Sequence, residues 1–150
     1  MGTPETLLSH SEAETVAIAQ RFAASLRAGD WVGLIGPLGA GKSVLVRAVG
    51  HALGIQTAMP SPSYTILNCH RGRIPLYHFD LYRVGSADEL DFAGLEPYLD
   101  GDGVCLIEWA DKIPERWPPH GWIIEISPEG PTARKITIRK LDVAEAGLKK

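Results

Sequence analysis

The chain has 150 residues, 45% hydrophobic and 22% charged, with a formal net charge of −3. This fits one domain with a real core, and the mild acidity argues against a broad electrostatic grip on DNA or RNA. Two cysteines, Cys69 and Cys105, exclude a disulfide framework and a four-thiolate zinc site and read as buried reduced thiols, while no apolar run nears the roughly eighteen residues of a membrane span.

Residues 1–10 read as a mobile lead-in, without the basic-then-apolar pattern of a secretory signal, so a cytoplasmic protein is expected. Ser11 and Glu14 form an S-x-x-E capping box. Val16, Ala17, Phe22, Ala23 and Leu26 follow at near-helical spacing, with Gly29 as the expected stop. WVGLI, residues 31–35, is a continuous apolar run of the kind buried on both faces of a parallel sheet. The next segment fills G-x-x-x-x-G-K-S with Gly36, Gly41, Lys42 and Ser43. Residues 42–53 read as a helix with Val44, Leu45, Val49 and Leu53 inward and Gly54 at its end. Strand, glycine loop and helix therefore come in the order that a phosphate-binding loop requires.

Such a loop works because successive backbone N–H groups and a helix N-terminus converge on an anion. Gly36, Gly39 and Gly41 permit the curvature, Lys42 is suited to the β- and γ-phosphates, and the Ser43 hydroxyl to Mg²⁺.

The stretch MPSPSYTILNC reads as an ordered loop entering a strand. Its hydroxyls at Ser61, Ser63 and Thr65 suit either a switch that senses the γ-phosphate or a plain polar turn. Arg71 to Arg73 mark a turn into IPLYHFDLYRV, which suggests an antiparallel hairpin. Ser86 and Glu89 repeat the capping signature before a short helix, and residues 94–99 suggest another. VCLIEW is a second buried strand, a proline-rich loop follows, and WIIEIS and KITIRKL close the sheet before a short mobile tail at 142–150.

Magnesium needs a second anchor, usually an acid that ends a buried strand. Asp80 and Glu108 both qualify, one to hold the metal and the other to position the attacking water, and the sequence leaves the division open. Trp109 suits either the nucleotide pocket or ordinary packing. His78 reads as a structural strand histidine, and Arg71, Arg73 and Arg83 as a small basic patch or a solvated face. A guanine-recognising N-K-x-D is absent, since the one asparagine, Asn68, precedes Cys69. ATP is therefore preferred over GTP. An ATPase, a small-molecule kinase and a nucleotide-sensing module remain open.

GPLGAGKS, SPSYTILN, YHFDLYRV with SADEL and DFAGLEPYL, and LIEWADK, in this order from about residue 11 to 117, resemble the bacterial TsaE (YjeE) family. The resemblance implies a single-domain α/β P-loop NTPase over 1–150, with a central mixed sheet flanked by helices and extended at its edge by the later strands. It implies a slow, partner-coupled, Mg²⁺-dependent ATPase required for N6-threonylcarbamoyladenosine at position 37 of tRNAs reading codons that begin with adenine. The implied partner is the TsaB–TsaD pair, in which TsaD transfers the group. tRNA is then met only through that pair, with no DNA or membrane involved. Leu38, Gly39, Ala40, Gly41, Lys42 and Ser43 match the family's phosphate loop, Ser43 and Glu108 its magnesium ligands, and Asp80 its hydrolytic acid. Residues 61–65 match its switch loop, and Glu12 and Arg134 are the nearest matches to its nucleotide contacts on the first helix and a late strand. This chain departs from the family by Pro37 in place of aspartate and by Ser43 and Ser63 in place of threonines. Serine keeps the hydroxyl, whereas Pro37 removes a backbone donor and a negative charge beside the phosphates.

Overall fold

Strand β2 (Trp31–Ile35) is apolar along its whole length and lies in the interior of the sheet. The computed structural model describes residues 4–56, 59, 66–95, 97–98 and 101–141. The other strands among these residues are β1 (Glu5–Ser9), β3 (Leu67–His70), β4 (Leu76–Asp80), β5 (Val104–Glu108), β6 (Trp122–Pro128) and β7 (Arg134–Lys140). Their order is β1-β7-β6-β2-β5-β4-β3. Pairing of β2 with β5 and β6, and of β4 with β5, is parallel; β1, β3 and β7 join antiparallel, so the sheet is mixed as expected. This is an α/β P-loop NTPase fold.

Helices α1 (Glu12–Ala23) and α2 (Lys42–Ala52) cover one face, over Leu34, Leu106, Ile124 and Ile126. The other face carries Trp31, Phe79, Ile107 and Ile123. It packs against Ala87 and Leu90 of α3 (Ala87–Phe92) and against Ala110, Ile113 and Trp117 in and after two 3-10 turns. Cys105 belongs to this core, whereas Cys69 is exposed, contrary to the reading of two buried thiols.

The first capping signature closes differently from its ideal. Ser11 accepts the Glu14 N–H at 3.1 Å, but the Glu14 carboxylate accepts from His10 N–H at 2.7 Å, one residue outside the box. Such a cap contributes about 1 kcal/mol. The helix ends at Ala23, where the Ser25 hydroxyl donates to the Phe22 carbonyl at 2.8 Å. Gly29, the expected stop, instead turns the chain towards β2, and Ala17 faces solvent. At the end of α2 the reading holds: Gly54 has φ +90°, and Ile55 N–H donates back to the Gly50 carbonyl at 3.0 Å.

Two further expectations need correction. The lead-in contains a strand: β1 forms the sheet edge on β7, and Ser9 at its end is fully buried, its hydroxyl 2.7 Å from that of Thr15. A five-residue strand with one buried side chain shows no alternation for a sequence reading to find. As expected, the later strands extend the sheet at its edge: β6 pairs with β2, β7 lies beyond β6, and β1 closes that edge. The hairpin strand stops at Asp80 rather than running to 84, since the Asp80 carboxylate accepts the Tyr82 N–H at 3.0 Å and turns the chain. Residues 61–65 and 142–150, and residues 96 and 99 of the expected second short helix, lie outside the described residues.

Candidate functional site

A cleft of about 640 Å³ opens beyond the carboxyl ends of β2, β4 and β5, where open α/β sheets bind ligands. Its floor is the glycine loop between β2 and α2. A Cβ on Gly36 would stand 2.4 Å from the Ile126 carbonyl oxygen, so only glycine lets the loop pass this close to β6. Gly39 and Gly41 have φ +78° and +99°, the left-handed conformation that glycine adopts without steric cost. The Pro37 carbonyl accepts the Ala40 N–H at 3.2 Å and closes the turn, while the Pro37 side chain faces solvent.

Lys42 opens α2 and is buried. Its Nζ donates to the carbonyls of Gly36 and, at 3.2 Å, of Pro37. It also lies 4.0 Å from the centre of the Trp109 ring. Burial pulls the ammonium below its ordinary pKa, and the charges of Glu108, Asp80 and Asp111 oppose that shift.

Asp80 and Glu108 are register partners at the ends of β4 and β5. Glu108 is buried, with Oε2 2.7 Å from His78 Nε2. Asp80 is half-buried, and burial pushes its carboxyl above the usual range; the Tyr82 N–H opposes the rise and the charge of Glu108 adds to it. Two neighbouring carboxylates facing one buried ammonium leave negative charge that a divalent cation would compensate. With the Ser43 hydroxyl on the same wall, the donors are hard oxygens of the kind magnesium takes, so the residues fit that ion.

Trp109 is the one non-glycine residue with positive φ among the described residues, at +63°. The strained turn aims its ring across Lys42 and against Tyr82, 5.2 Å between ring centres.

The structure thus brings Glu12, Leu38, Gly39, Gly41, Lys42, Ser43, Asp80, Glu108, Trp109 and Arg134 to one cleft. Ala40 has a buried side chain and takes part through its carbonyl, which accepts from Arg134 Nε at 2.9 Å. Arg134 is therefore a brace for the loop as well as a wall of the cleft. The switch residues Ser61, Ser63 and Thr65 lie outside the described residues. Sequence reasoning missed Ile66 and Tyr82 as lining residues and the link between His78 and Glu108. It placed Arg83 with Arg71 and Arg73, but Arg83 lines the cleft, Arg73 donates to the Ala52 carbonyl behind α2, and Arg71 is exposed. The signal for His78 was its spacing: on a strand, residue i shares a face with i+2, here Asp80. Among the described residues no helix is long and apolar enough to cross a membrane.

Comparison with known proteins gives a consistent result. A family model described as "Threonylcarbamoyl adenosine biosynthesis protein TsaE" matches residues 9–136. The "tRNA threonylcarbamoyladenosine biosynthesis protein TsaE" of Bacillus subtilis is 42% identical over 125 residues, 83% of this chain and 78% of that protein. The Treponema pallidum protein of the same name is 35% identical over 113 residues, 75% of this chain and 84% of its own. The crystal structure of Bacillus subtilis YdiB superimposes with a TM-score of 0.79 at 35% identity, covering 94% of this chain and 87% of that one.

Proposed function

The chain belongs to the TsaE family of threonylcarbamoyladenosine biosynthesis proteins, and on that premise we propose that its cleft binds Mg²⁺-ATP and hydrolyses it slowly under the control of partner proteins. The ATP cycle resets or regulates the complex that makes N6-threonylcarbamoyladenosine at position 37 of tRNA. One juxtaposition carries the reading: a phosphate loop with its lysine and two paired strand-end acids border the same cleft.

The loop N–H groups and Lys42 receive the β- and γ-phosphates. Ser43 and Glu108 are the residues to hold Mg²⁺, which when bound offsets phosphate charge. Asp80 orients a water for in-line attack at the γ-phosphorus. As the new P–O bond forms, the bond to the β–γ bridging oxygen breaks, ADP leaves with that oxygen, and the proton that the water sheds passes to an oxygen of the released phosphate. Trp109 and Tyr82 wall off the site, Glu12 and Leu38 border the nucleotide, and Arg134 donates to the Gly39 and Ala40 carbonyls and so braces the loop.

The partner is the TsaB–TsaD pair, through which tRNA is met, in keeping with a net charge of −3. The test is phosphate release from Mg²⁺-ATP by the protein alone and then with TsaB–TsaD, with no small-molecule acceptor. Low release that rises with the pair is expected. Turnover that ignores the pair and tracks an added small-molecule hydroxyl would favour the kinase instead.

A further inference from the structure

His78 is buried on β4, and its Nε2 lies 2.7 Å from Glu108 Oε2. An ionised carboxylate only accepts, so the proton of this bond sits on Nε2. His78 is the register partner of Leu106 and Asp80 that of Glu108, so His78 reaches diagonally along the sheet towards the cleft. Its other nitrogen, Nδ1, is buried without a hydrogen-bond partner. A buried polar atom left unpaired costs stability. Packing alone would be served better by an apolar side chain, and the bond that sets the imidazole apart from one is the bond to Glu108.

The terminal torsion of a glutamate is soft, and Lys42 competes for this carboxylate through its charge. Tying Oε2 to a strand histidine fixes the plane of the carboxylate and leaves Oε1 for the cleft. We infer that His78 is a positioning residue that holds the Glu108 carboxylate in the orientation needed to take Mg²⁺. The inference rests on the proposed role of Glu108 as a metal ligand. Hydrogen-bond partners behind metal-binding carboxylates typically change metal affinity by about 10- to 100-fold.

The test measures binding, not turnover: a fluorescent ATP analogue is titrated with Mg²⁺ against wild type, His78→Leu, His78→Asn and His78→Gln. Glutamine puts an amide N–H near the place of Nε2, whereas asparagine is too short to reach Glu108. The Mg²⁺ concentration for half-maximal binding should rise roughly tenfold in His78→Leu and His78→Asn and stay within about threefold of wild type in His78→Gln. If His78→Leu fails to fold, the asparagine and glutamine pair still decides the matter, because both carry the same polar group. Equal midpoints for that pair, with Mg²⁺-dependent binding in wild type, would overturn the positioning role and leave the site reading standing. Binding by wild type that ignores Mg²⁺ would overturn the metal-ligand role of Glu108, and the inference with it.

Discussion

Lys42 Nζ lies 4.0 Å from the centre of the Trp109 ring and at the same time donates to two carbonyls of the loop from which its own helix starts. On the proposed reading, the ammonium is thus stored where phosphate oxygens would arrive, and a nucleotide would replace its carbonyl bonds with stronger charged ones. Lys42→Met keeps the apolar stem over Trp109 and removes the charge. Charge-assisted bonds contribute about 1.5–3 kcal/mol, so ATP affinity by calorimetry should fall roughly 10- to 100-fold and phosphate release should be lost. Because burial disfavours this ammonium, the melting temperature should not fall. A lower melting temperature with unchanged affinity would contradict the assignment.

Gly36 faces a different constraint, since the Ile126 carbonyl oxygen occupies the place where a side chain would begin. Gly36→Ala must push the loop off β6, at a cost of about 1–3 kcal/mol. Thermal melting should drop by roughly 2–4 °C per kcal/mol for a chain of this size, together with a loss of ATP affinity. Wild-type melting would show that the loop yields freely there.

Trp109 allows its backbone to be tested apart from its ring. Both Trp109→Ala and Trp109→Gly delete the contacts with Lys42 and Tyr82, but only glycine adopts φ +63° without steric penalty. The glycine variant should be more stable than the alanine variant by about 1 kcal/mol, read as the difference in chemical denaturation. Both should bind ATP less well than wild type.

Asp80 should make stability depend on pH in the opposite sense from a salt-bridged acid. Burial raises its folded-state pKa above the unfolded value, so between the two values the folded protein holds more protons and stability falls as pH rises. Asp80→Asn removes that loss. The variant should melt above wild type at neutral pH, and its advantage should shrink as pH falls through the ordinary carboxylate range. The same variant should lose phosphate release, because a neutral amide cannot orient the water as a carboxylate does. A melting advantage that is flat with pH would remove the electrostatic explanation.

What was legible in the sequence was whatever local pattern alone determines. The phosphate loop, α2 and its glycine terminus, the hairpin across Arg71 to Arg73 and the acid-ended strands β4 and β5 each carry periodicity or turn chemistry within a few residues. What was not legible arises between distant segments. Residues 5–9 form a strand because β7 lies beside them, and Arg134 reaches the loop because β7 begins where the loop turns. The face of His78 follows from its spacing to Asp80, but its partner Glu108 follows from the register between β4 and β5.

Strand β1 links the start of the chain to the chemistry. Ser9 is the register partner of Arg134, and Arg134 holds the Ala40 carbonyl. The path from the amino-terminal segment to the phosphate loop is therefore only three residues long, although the sequence separates its ends widely. Trimming through residue 9, or fusing a tag within the strand, would leave β2 and α2 intact but free the outer side of β7 and slacken the loop. A preparation shortened in this way would look well folded and still bind nucleotide poorly, so the choice of starting residue is a variable in any assay of this protein.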